Sequence, residues 1–268
     1  MPTQAKLPPT VMALSGLDPT GGAGIQADIE AIASMACHAL PIVTALTVQN
    51  SQNVIRFETV DPLIVIEQAR TVLEDIPVAA FKLGMLGSPQ IVEAIHTILR
   101  DYPALPVVLD PIIAAGGGGP LSQDETLAAM RELLLPLTTV ITPNSEEARL
   151  LAKEADSLDA CAEELQDMGC EYVLITGTHE DTPEVTNTLY SNHRRLESFS
   201  WDRLPHSYHG SGCTLAASIS AMLAHGLDPF NAIHEAQEYT WQALSGGVRP
   251  GQGQYFPDRF YWSRGEDH

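Results

Sequence analysis

A glycine-rich turn that runs into an apolar segment is the feature of this sequence with the clearest chemistry. It reads His209-Gly210-Ser211-Gly212-Cys213. The spacing of apolar residues over 213–225 predicts a helix that begins here, and backbone N–H groups at a helix start bind anions such as a transferring phosphoryl group. The helix dipole lowers the pKa of a thiol in the first turn, so we expect Cys213 to accept a proton from a substrate hydroxyl. The alternative for a lone cysteine is a small buried apolar residue.

A second glycine-rich segment precedes the first predicted helix. It contains Gly22-Ala23-Gly24-Ile25-Gln26-Ala27, which matches the G-x-G-x-x-G/A pattern of dinucleotide sites. NAD binding is rejected, because the second predicted strand, residues 42–48, is followed by Gln49 and Asn50 and not by a ribose-binding carboxylate. The segment still brings backbone N–H groups close to a ligand, with Asp18 and Asp28 as polar anchors. A plain connector with Asp28 on a solvated helix face is the alternative.

Oxygen-bearing side chains follow two further predicted strands. Asp110 comes directly after residues 107–109, and Asn144 and Glu147 follow residues 139–142. Open α/β sheets bind ligands at the carboxyl ends of their strands, and Mg²⁺ prefers carboxylate and amide oxygens. Asn144 is equally typical of a helix N-cap, and the sequence does not separate the two roles. No G-x-x-x-x-G-K-[ST] segment occurs, which excludes an ordinary P-loop.

Alternating strand and helix patterns must position these three loops. Short apolar runs predict strands at 11–15, 42–48, 79–83, 107–109, 139–142 and 172–176. Helical spacing predicts helices that begin near residues 25, 65, 91, 124, 146, 158, 213 and 228. Residues 186–202 flank a polar turn at 192–194 and predict a small hairpin. The order predicts an α/β protein with a doubly wound, mostly parallel central sheet and helices on both faces. With no linker to divide it, we expect one domain over residues 1–268.

Composition limits the partners. The 268 residues carry 14 Lys and Arg against 34 Asp and Glu, a formal net charge of −20. Such a surface repels a phosphate backbone, so we expect no nucleic acid partner. No run of 18 apolar residues and no signal peptide pattern occurs, so we expect no membrane association and a cytoplasmic location. The four cysteines show neither C-x-x-C spacing nor a partnering histidine cluster, which disfavours structural zinc and a disulfide framework.

Taken together, the motifs resemble the hydroxymethylpyrimidine/phosphomethylpyrimidine kinases of thiamin biosynthesis. The resemblance covers nearly the whole chain and rests on segments 16–28, 44–50, 82–86, 107–111, 142–147 and 210–214, all in the family's order. It implies a ribokinase-like fold, ATP and Mg²⁺ as cofactors, and a homodimer. It also implies two ATP-dependent phosphorylations, first of the pyrimidine's hydroxymethyl group and then of the resulting monophosphate.

The same resemblance implies roles for individual residues. Gln49 would hydrogen-bond the aminopyrimidine edge. Further pyrimidine-site residues would be Gly16, Asp18, Thr47, Met85 and Ile112. Asn144 would lie at the nucleotide and, with Glu147, organise Mg²⁺, while Asp110 would lie near the phosphates. Residues 210–213 would form the anion hole, with Cys213 where sugar kinases of the superfamily carry a catalytic aspartate.

One segment departs from the family pattern. The strand before the hairpin usually ends in Lys-Gly-Gly-His, whose Lys contacts ATP phosphates, whereas this chain has Thr176-Gly177-Thr178-His179. Thr176 and Thr178 would face the nucleotide without that charge. A non-catalytic pyrimidine-binding protein therefore stays open. A pyridoxal kinase of the same superfamily also stays open, because its vitamin kinases share these loops and differ in the ring pocket. A run of four glycines at 116–119 is a candidate mobile or ligand-approaching loop.

Overall fold

A central sheet organises the protein. In a computed structural model, residues 7–113 and 124–264 are described, and they form nine strands in the order β3-β2-β1-β4-β5-β6-β7-β8-β9. The strands are β1 Thr10–Leu17, β2 His38–Gln49, β3 Val54–Thr59, β4 Ala80–Leu83, β5 Val107–Leu109, β6 Val140–Ile141, β7 Tyr172–Ile175, β8 Glu184–Ser191 and β9 Arg194–Asp202. Parallel pairing joins β2, β1, β4, β5, β6 and β7. Strands β3, β8 and β9 are antiparallel.

Eight α-helices in the described part of the chain cover the sheet. They are α1 Gly24–Ser34, α2 Pro62–Asp75, α3 Pro89–Leu99, α4 Asp124–Ala129, α5 Ser145–Leu151, α6 Leu158–Asp167, α7 Ser211–Ala224 and α8 Pro229–Ser245. A π-helical turn, Met130–Leu134, and a 3₁₀ turn, Leu135–Leu137, extend α4, and a second 3₁₀ turn spans Tyr261–Ser263. No helix in the described parts of the chain is both long and apolar enough to cross a bilayer.

Strand β1 shows how the two layers of helices are held. Its side chains alternate between the faces of the sheet. Met12 and Leu14 pack in the large apolar core on the side of α2 to α6. Val11 and Ala13 belong to the opposite core, which includes residues of α1, α7 and α8. All four side chains are fully buried, as expected for a strand covered on both faces. The predicted doubly wound, mostly parallel sheet is confirmed.

The hairpin and one edge strand complete the sheet. The predicted hairpin is confirmed as β8 and β9, which turn at Asn192 and His193, both with positive φ. Strand β3 was not predicted; it pairs with β2 in antiparallel orientation. Its sequence, Val-Ile-Arg-Phe-Glu-Thr, is short and largely exposed at the edge of the sheet, so it lacks the apolar run that marked the central strands.

Candidate active site

The carboxyl ends of the parallel strands open into a cavity of about 390 Å³. Leu17, Asp110, Thr142 and Thr176 line it at or just after the ends of strands, and the start of α7 also lines it. All but one of the predicted site residues line this cavity: Gly16, Asp18, Thr47, Gln49, Met85, Asp110, Ile112, Asn144, Glu147, Thr176, Thr178, Gly210, Ser211, Gly212 and Cys213. Asp28 does not. The candidate loop at residues 116–119 lies outside the described residues.

Backbone conformation sets the turn before α7. Gly210 is the N-cap, with φ +86°, a left-handed conformation that favours glycine. A Cβ atom there would also collide with the carbonyl oxygen of Gly22. At Gly212 an added Cβ would lie 3.6 Å from both carboxylate oxygens of Asp110. The turn therefore presents the N-terminus of a 14-residue helix toward Asp110, in a geometry suited to holding an anion.

A buried arginine joins the two glycine-rich loops. Nε of Arg259 donates to Oγ1 of Thr214 at 2.9 Å, and its Nη2 donates to the carbonyl oxygen of Gly22. Nη1 pairs with Glu30 at 3.0 Å. Because the Arg259 side chain is only 1% exposed, these charge-assisted bonds fix the relative position of the two loops. No motif around Arg259 indicates this role.

Asp18 holds the first glycine-rich loop in shape. One carboxylate oxygen accepts the backbone N–H of Thr20 at 2.8 Å, and the other accepts that of Ala23 at 2.9 Å. Nε2 of His209 lies 2.8 Å from the second oxygen. Burial acts to raise the pKa of Asp18, but the hydrogen bonds from His209 and Thr20 outweigh it and lower that pKa. With its oxygens used in this way, Asp18 positions the loop beside the cavity more than it offers a free anchor.

Asp28 corrects the sequence analysis. Both expectations for it, a ligand anchor and a solvated helix face, are wrong, because its side chain is fully buried beneath the cavity. Nζ of Lys82, on β4, lies 2.8 Å from Oδ1 of Asp28 and is also fully buried. Burial disfavours the ammonium, yet the charge of Asp28 outweighs it and raises the pKa of Lys82. The lone lysine inside the apolar run of β4 could have indicated this ion pair, because a buried lysine needs a charged partner.

Cys213 is a second correction. The prediction of a lowered thiol pKa is wrong for the ligand-free protein, because burial raises the pKa of Cys213 to about 12 despite the nearby Lys82 cation. The side chain is 5% exposed. It interacts electrostatically with Asp110, whose own pKa is raised by burial to about 6, against the lowering effects of Lys82 and Cys213. The thiol therefore keeps its proton and stands beside a carboxyl group able to share it.

Asn144 and Glu147 form a capping box at the start of α5. The amide oxygen of Asn144 accepts the N–H groups of Glu146 and Glu147, each at 2.9 Å. Glu147 returns the contact by accepting the N–H of Asn144 at 3.0 Å. The N-cap reading of Asn144 is thus observed directly. Glu147 also lines the cavity. Burial, and to a smaller extent the charge of Asp110, raise the pKa of Glu147 to about 8.

The charge in this region suits a divalent cation. Asp110 and Glu147 both line the cavity with pKa values raised by burial, and the charge of Asp110 further raises that of Glu147. Oδ2 of Asp110 is buried and has no hydrogen-bond partner in the described part of the chain. No cluster of three or more His, Cys, Asp or Glu side chains with metal-binding geometry exists among those residues. Any cation would therefore take its remaining ligands from water or substrate.

One end of the cavity is lined by polar groups from β2. Nε2 of Gln49 donates to Oγ1 of Thr47 at 2.8 Å, and that hydroxyl donates to the carbonyl oxygen of Leu17 at 2.8 Å. Met85 lies against Gly16, where its sulfur is 3.1 Å from the position of an added Cβ. Ile112 also borders this end. The result is a small chamber with apolar walls and one amide group for orientation.

Another part of the cavity, the aromatic chamber, is lined by tryptophans. Trp201 and Trp241 line it, with ring centroids 6.4 Å apart and planes inclined by 27°. Arg203 closes its rim by donating to the carbonyl oxygens of Thr178, Glu180 and Thr182, at 2.8 to 2.9 Å. Among the described residues that line the cavity, Arg203 is the sole Lys or Arg. None of these three residues was identified from the sequence, because their spacing follows no local motif.

Comparison with known proteins identifies the class to which this fold and site belong. A sequence model of the phosphomethylpyrimidine kinase family matches residues 18–258, and the chain belongs to that family. A hydroxymethylpyrimidine/phosphomethylpyrimidine kinase from Mycobacterium tuberculosis is 37% identical over 252 residues, which is 92% of each chain.

Solved structures give the same architecture. A phosphomethylpyrimidine kinase from Clostridium difficile is 30% identical, with a TM-score of 0.76 over 88% of this chain and 99% of that one. Pyridoxal kinase from Bacillus subtilis, solved as an ADP complex, is 28% identical, with a TM-score of 0.85 over 96% and 99%. The ribokinase-like fold implied by the sequence motifs is confirmed. Of these proteins, the two pyrimidine kinases have the higher sequence identity to the chain, and the pyridoxal kinase has the higher TM-score.

Proposed function

We propose that the protein transfers phosphoryl groups from ATP to 4-amino-5-hydroxymethyl-2-methylpyrimidine and then to its monophosphate, in thiamin biosynthesis. The observation that carries the proposal is the position of the α7 N-terminus. Residues 210–213 at this N-terminus line the same cavity as Gln49, Trp201 and Trp241. An acceptor and a nucleotide bound together in this cavity would place a phosphoryl group against backbone N–H groups, which stabilise its charge during transfer. Family membership supports the same reaction.

The small chamber is the proposed acceptor site. Gln49 would hydrogen-bond the aminopyrimidine edge, while Thr47, Met85 and Ile112 enclose the ring and Gly16 allows close approach of the backbone. The volume of about 390 Å³ for the whole cavity is in the range of small-molecule sites. Asn144, Thr176 and Thr178 also line the cavity, and we assign them to the nucleotide.

Glu147 and Oδ2 of Asp110 are the groups we assign to Mg²⁺, directly or through water. When bound, the cation supplies charge neutralisation for the nucleotide phosphates. The protein has a net charge of −20 and only one Lys or Arg in the described lining of this cavity. We therefore expect activity to depend steeply on the Mg²⁺ concentration.

Cys213 and Asp110 form the proposed proton acceptor for the first step. The hydroxymethyl group must lose its proton as its oxygen bonds to the γ-phosphorus and the bond from that phosphorus to the departing ADP breaks, and Cys213 and Asp110 would receive that proton as one unit. The second step uses a phosphate oxygen that is already anionic, so it needs this pair less.

The test is ATP consumption with hydroxymethylpyrimidine, with its monophosphate and with pyridoxal as separate acceptors. Turnover of the first two, with a diphosphate as the final product, supports the proposal. The matched variants are Cys213→Ala and Cys37→Ala, since Cys37 is buried in a different core. We expect loss of alcohol phosphorylation only in the first. Absence of turnover with every acceptor would leave the non-catalytic binding protein as the correct function.

A pyridoxal kinase activity is the second candidate. The observation that favours it is the TM-score of 0.85 to the Bacillus subtilis pyridoxal kinase over 96% of this chain. The same three-acceptor assay decides between the two activities. A larger kcat/KM for pyridoxal than for the pyrimidine would make this the principal activity.

The oligomeric state is proposed as a homodimer of single-domain chains. Apolar side chains on the outer face of β2 and at the β3 bulge are exposed: Leu46 by 51%, Val48 by 43% and Ile55 by 71%. A second copy that covers them would remove this surface from water. Sedimentation velocity on the wild type and on a Leu46→Glu/Val48→Glu variant tests the proposal. A monomeric wild type would refute it.

A further inference from the structure

We propose that the aromatic chamber holds the nucleobase by contact with its faces and without reading its hydrogen-bonding edge, so that the phosphoryl donor is any purine nucleoside triphosphate. This inference rests on the proposed function, because it concerns the donor site of the same cavity. It assigns a donor class broader than ATP and names Trp201 and Trp241 as the residues that supply affinity.

The placement of the donor follows from charge. A nucleoside triphosphate carries several negative charges, and the described lining of the cavity offers one Lys or Arg, Arg203. That residue follows Trp201 by two positions and holds the loop that contains Thr178. The phosphates of a bound nucleotide would therefore lie between Arg203 and the α7 N-terminus, with the base among the tryptophans.

The polar side chains of this chamber already satisfy one another. Nε1 of Trp201 and Nδ2 of Asn187 both donate to Oε1 of Gln237, at 3.3 and 2.9 Å, which occupies both lone pairs of that oxygen. Oδ1 of Asn187 accepts the N–H of Gly177 at 3.1 Å. Gln237 is 3% exposed and Asn187 8% exposed. These amides are built into the wall and do not point a free pair of groups at a base.

Two further side-chain donors of this wall are also used. Nε1 of Trp241 donates to the carbonyl oxygen of Asp202 at 3.2 Å, and the hydroxyl of Thr240 donates to that of Ala236 at 2.7 Å. An indole nitrogen has one hydrogen, so both tryptophans have no donor left for a ligand. What the chamber offers is ring surface and the apolar side chains of Val185, Leu215 and Leu244.

Specificity depends on this distinction. A site that hydrogen-bonds a substrate group discriminates against an analogue without it by roughly 10⁴- to 10⁵-fold, whereas apolar contact discriminates weakly. ATP presents an amino group at purine position 6, and GTP and ITP present a carbonyl oxygen there. A wall that contacts only the ring faces would bind all three with affinities that differ by less than about tenfold.

The first experiment measures binding by the quenching of intrinsic tryptophan fluorescence, with the non-hydrolysable analogues AMP-PCP and GMP-PCP. The expected result is a ratio of dissociation constants below about 10. A ratio above about 100 in either direction would overturn the proposal. Trp262 serves as the control, because its Nε1 bonds Ser34 and it does not line the cavity. Trp262→Phe should retain the quenching.

A second set of measurements uses variants of Trp201 and adds turnover to the binding titration. Steady-state kcat/KM with ATP, GTP and ITP is compared in the wild type, Trp201→Phe and Trp201→Leu. We expect Trp201→Leu to raise the dissociation constants of both analogues by about fivefold or more, and by similar factors. Trp201→Phe should recover most of that loss. An effect on one nucleotide only would refute the assignment. If no acceptor is phosphorylated, the proposed function fails, while the binding titration still decides this inference.

Discussion

The buried ion pair beneath the cavity makes a quantitative prediction. Nζ of Lys82 lies 2.8 Å from Oδ1 of Asp28, and both side chains are fully buried. Replacing Lys82 by methionine removes this cation and leaves the buried Asp28 carboxylate without its charged partner. Breaking one partner of a buried pair costs about 3–5 kcal/mol in the free energy of unfolding. For a chain of this size each kcal/mol lowers Tm by roughly 2–4 °C, so Lys82→Met should melt on the order of 10 °C below the wild type.

The double variant Lys82→Met/Asp28→Leu makes the test sharp. Replacing both partners of a buried pair by apolar side chains is often neutral or stabilising, so the double variant should recover most of the Tm lost in Lys82→Met. Lys153→Met is the control, because Lys153 is 52% exposed and lies 3.7 Å from Asp124; its Tm should change by less than about 2 °C. Thermal melts followed by circular dichroism measure all three. The reasoning would be refuted if the double variant lost as much Tm as Lys82→Met and Asp28→Leu lose in total when each is made alone.

Three further outcomes test the site. Cys213→Ala should reduce the initial rate with the alcohol at least tenfold more than with the monophosphate, because only the alcohol must lose a proton; equal losses would count against this role. Glu147→Gln can keep the capping box but removes a carboxyl whose pKa is raised from 4.5 to about 8. Because the folded protein holds this proton more tightly than the unfolded chain does, the wild type loses stability as the pH rises from 4.5 to about 8. Without divalent cations, the variant should therefore melt several degrees above the wild type at pH 8.5 and at the same temperature as the wild type at pH 4. A difference that is constant with pH contradicts this. Gly210→Ala should abolish turnover, whereas Gly226→Ala, with the same left-handed backbone but open space, should lose about 1 kcal/mol of stability and keep its activity. Turnover in the first variant would refute the tight fit of the turn.

The fold was predictable because its central strands are buried on both faces. Such strands are short apolar runs, and the intervening helices show regular apolar spacing, so both types of element stand out. Strand β3 escaped prediction because its side chains are half-buried or exposed at a sheet edge. Its pairing with β2 depends on the turn at residues 50–53, where Oδ1 of Asn50 accepts two backbone N–H groups.

The site was predictable where its chemistry is local and not where it depends on burial. The glycine turns and the capping box are contiguous in sequence, and the structure brings them to one cavity. The pKa of Cys213 is set by desolvation, which depends on residues far away in the chain, so a rule for helix starts gave the wrong direction. Asp28 was misplaced for the same reason, since its partner Lys82 is 54 positions away on another element.

The buried Arg259, which joins the two glycine-rich loops, bears on how the protein folds. Its contacts with Gly22 and Thr214 span 237 and 45 positions along the chain, and closing such long loops is entropically costly until many other contacts are in place. We therefore expect the sheet and its helices to form before the two glycine-rich loops are locked together. Catalytic competence would then be acquired in the last phase of folding, and a nascent chain that ends before residue 259 would be folded in large part yet inactive.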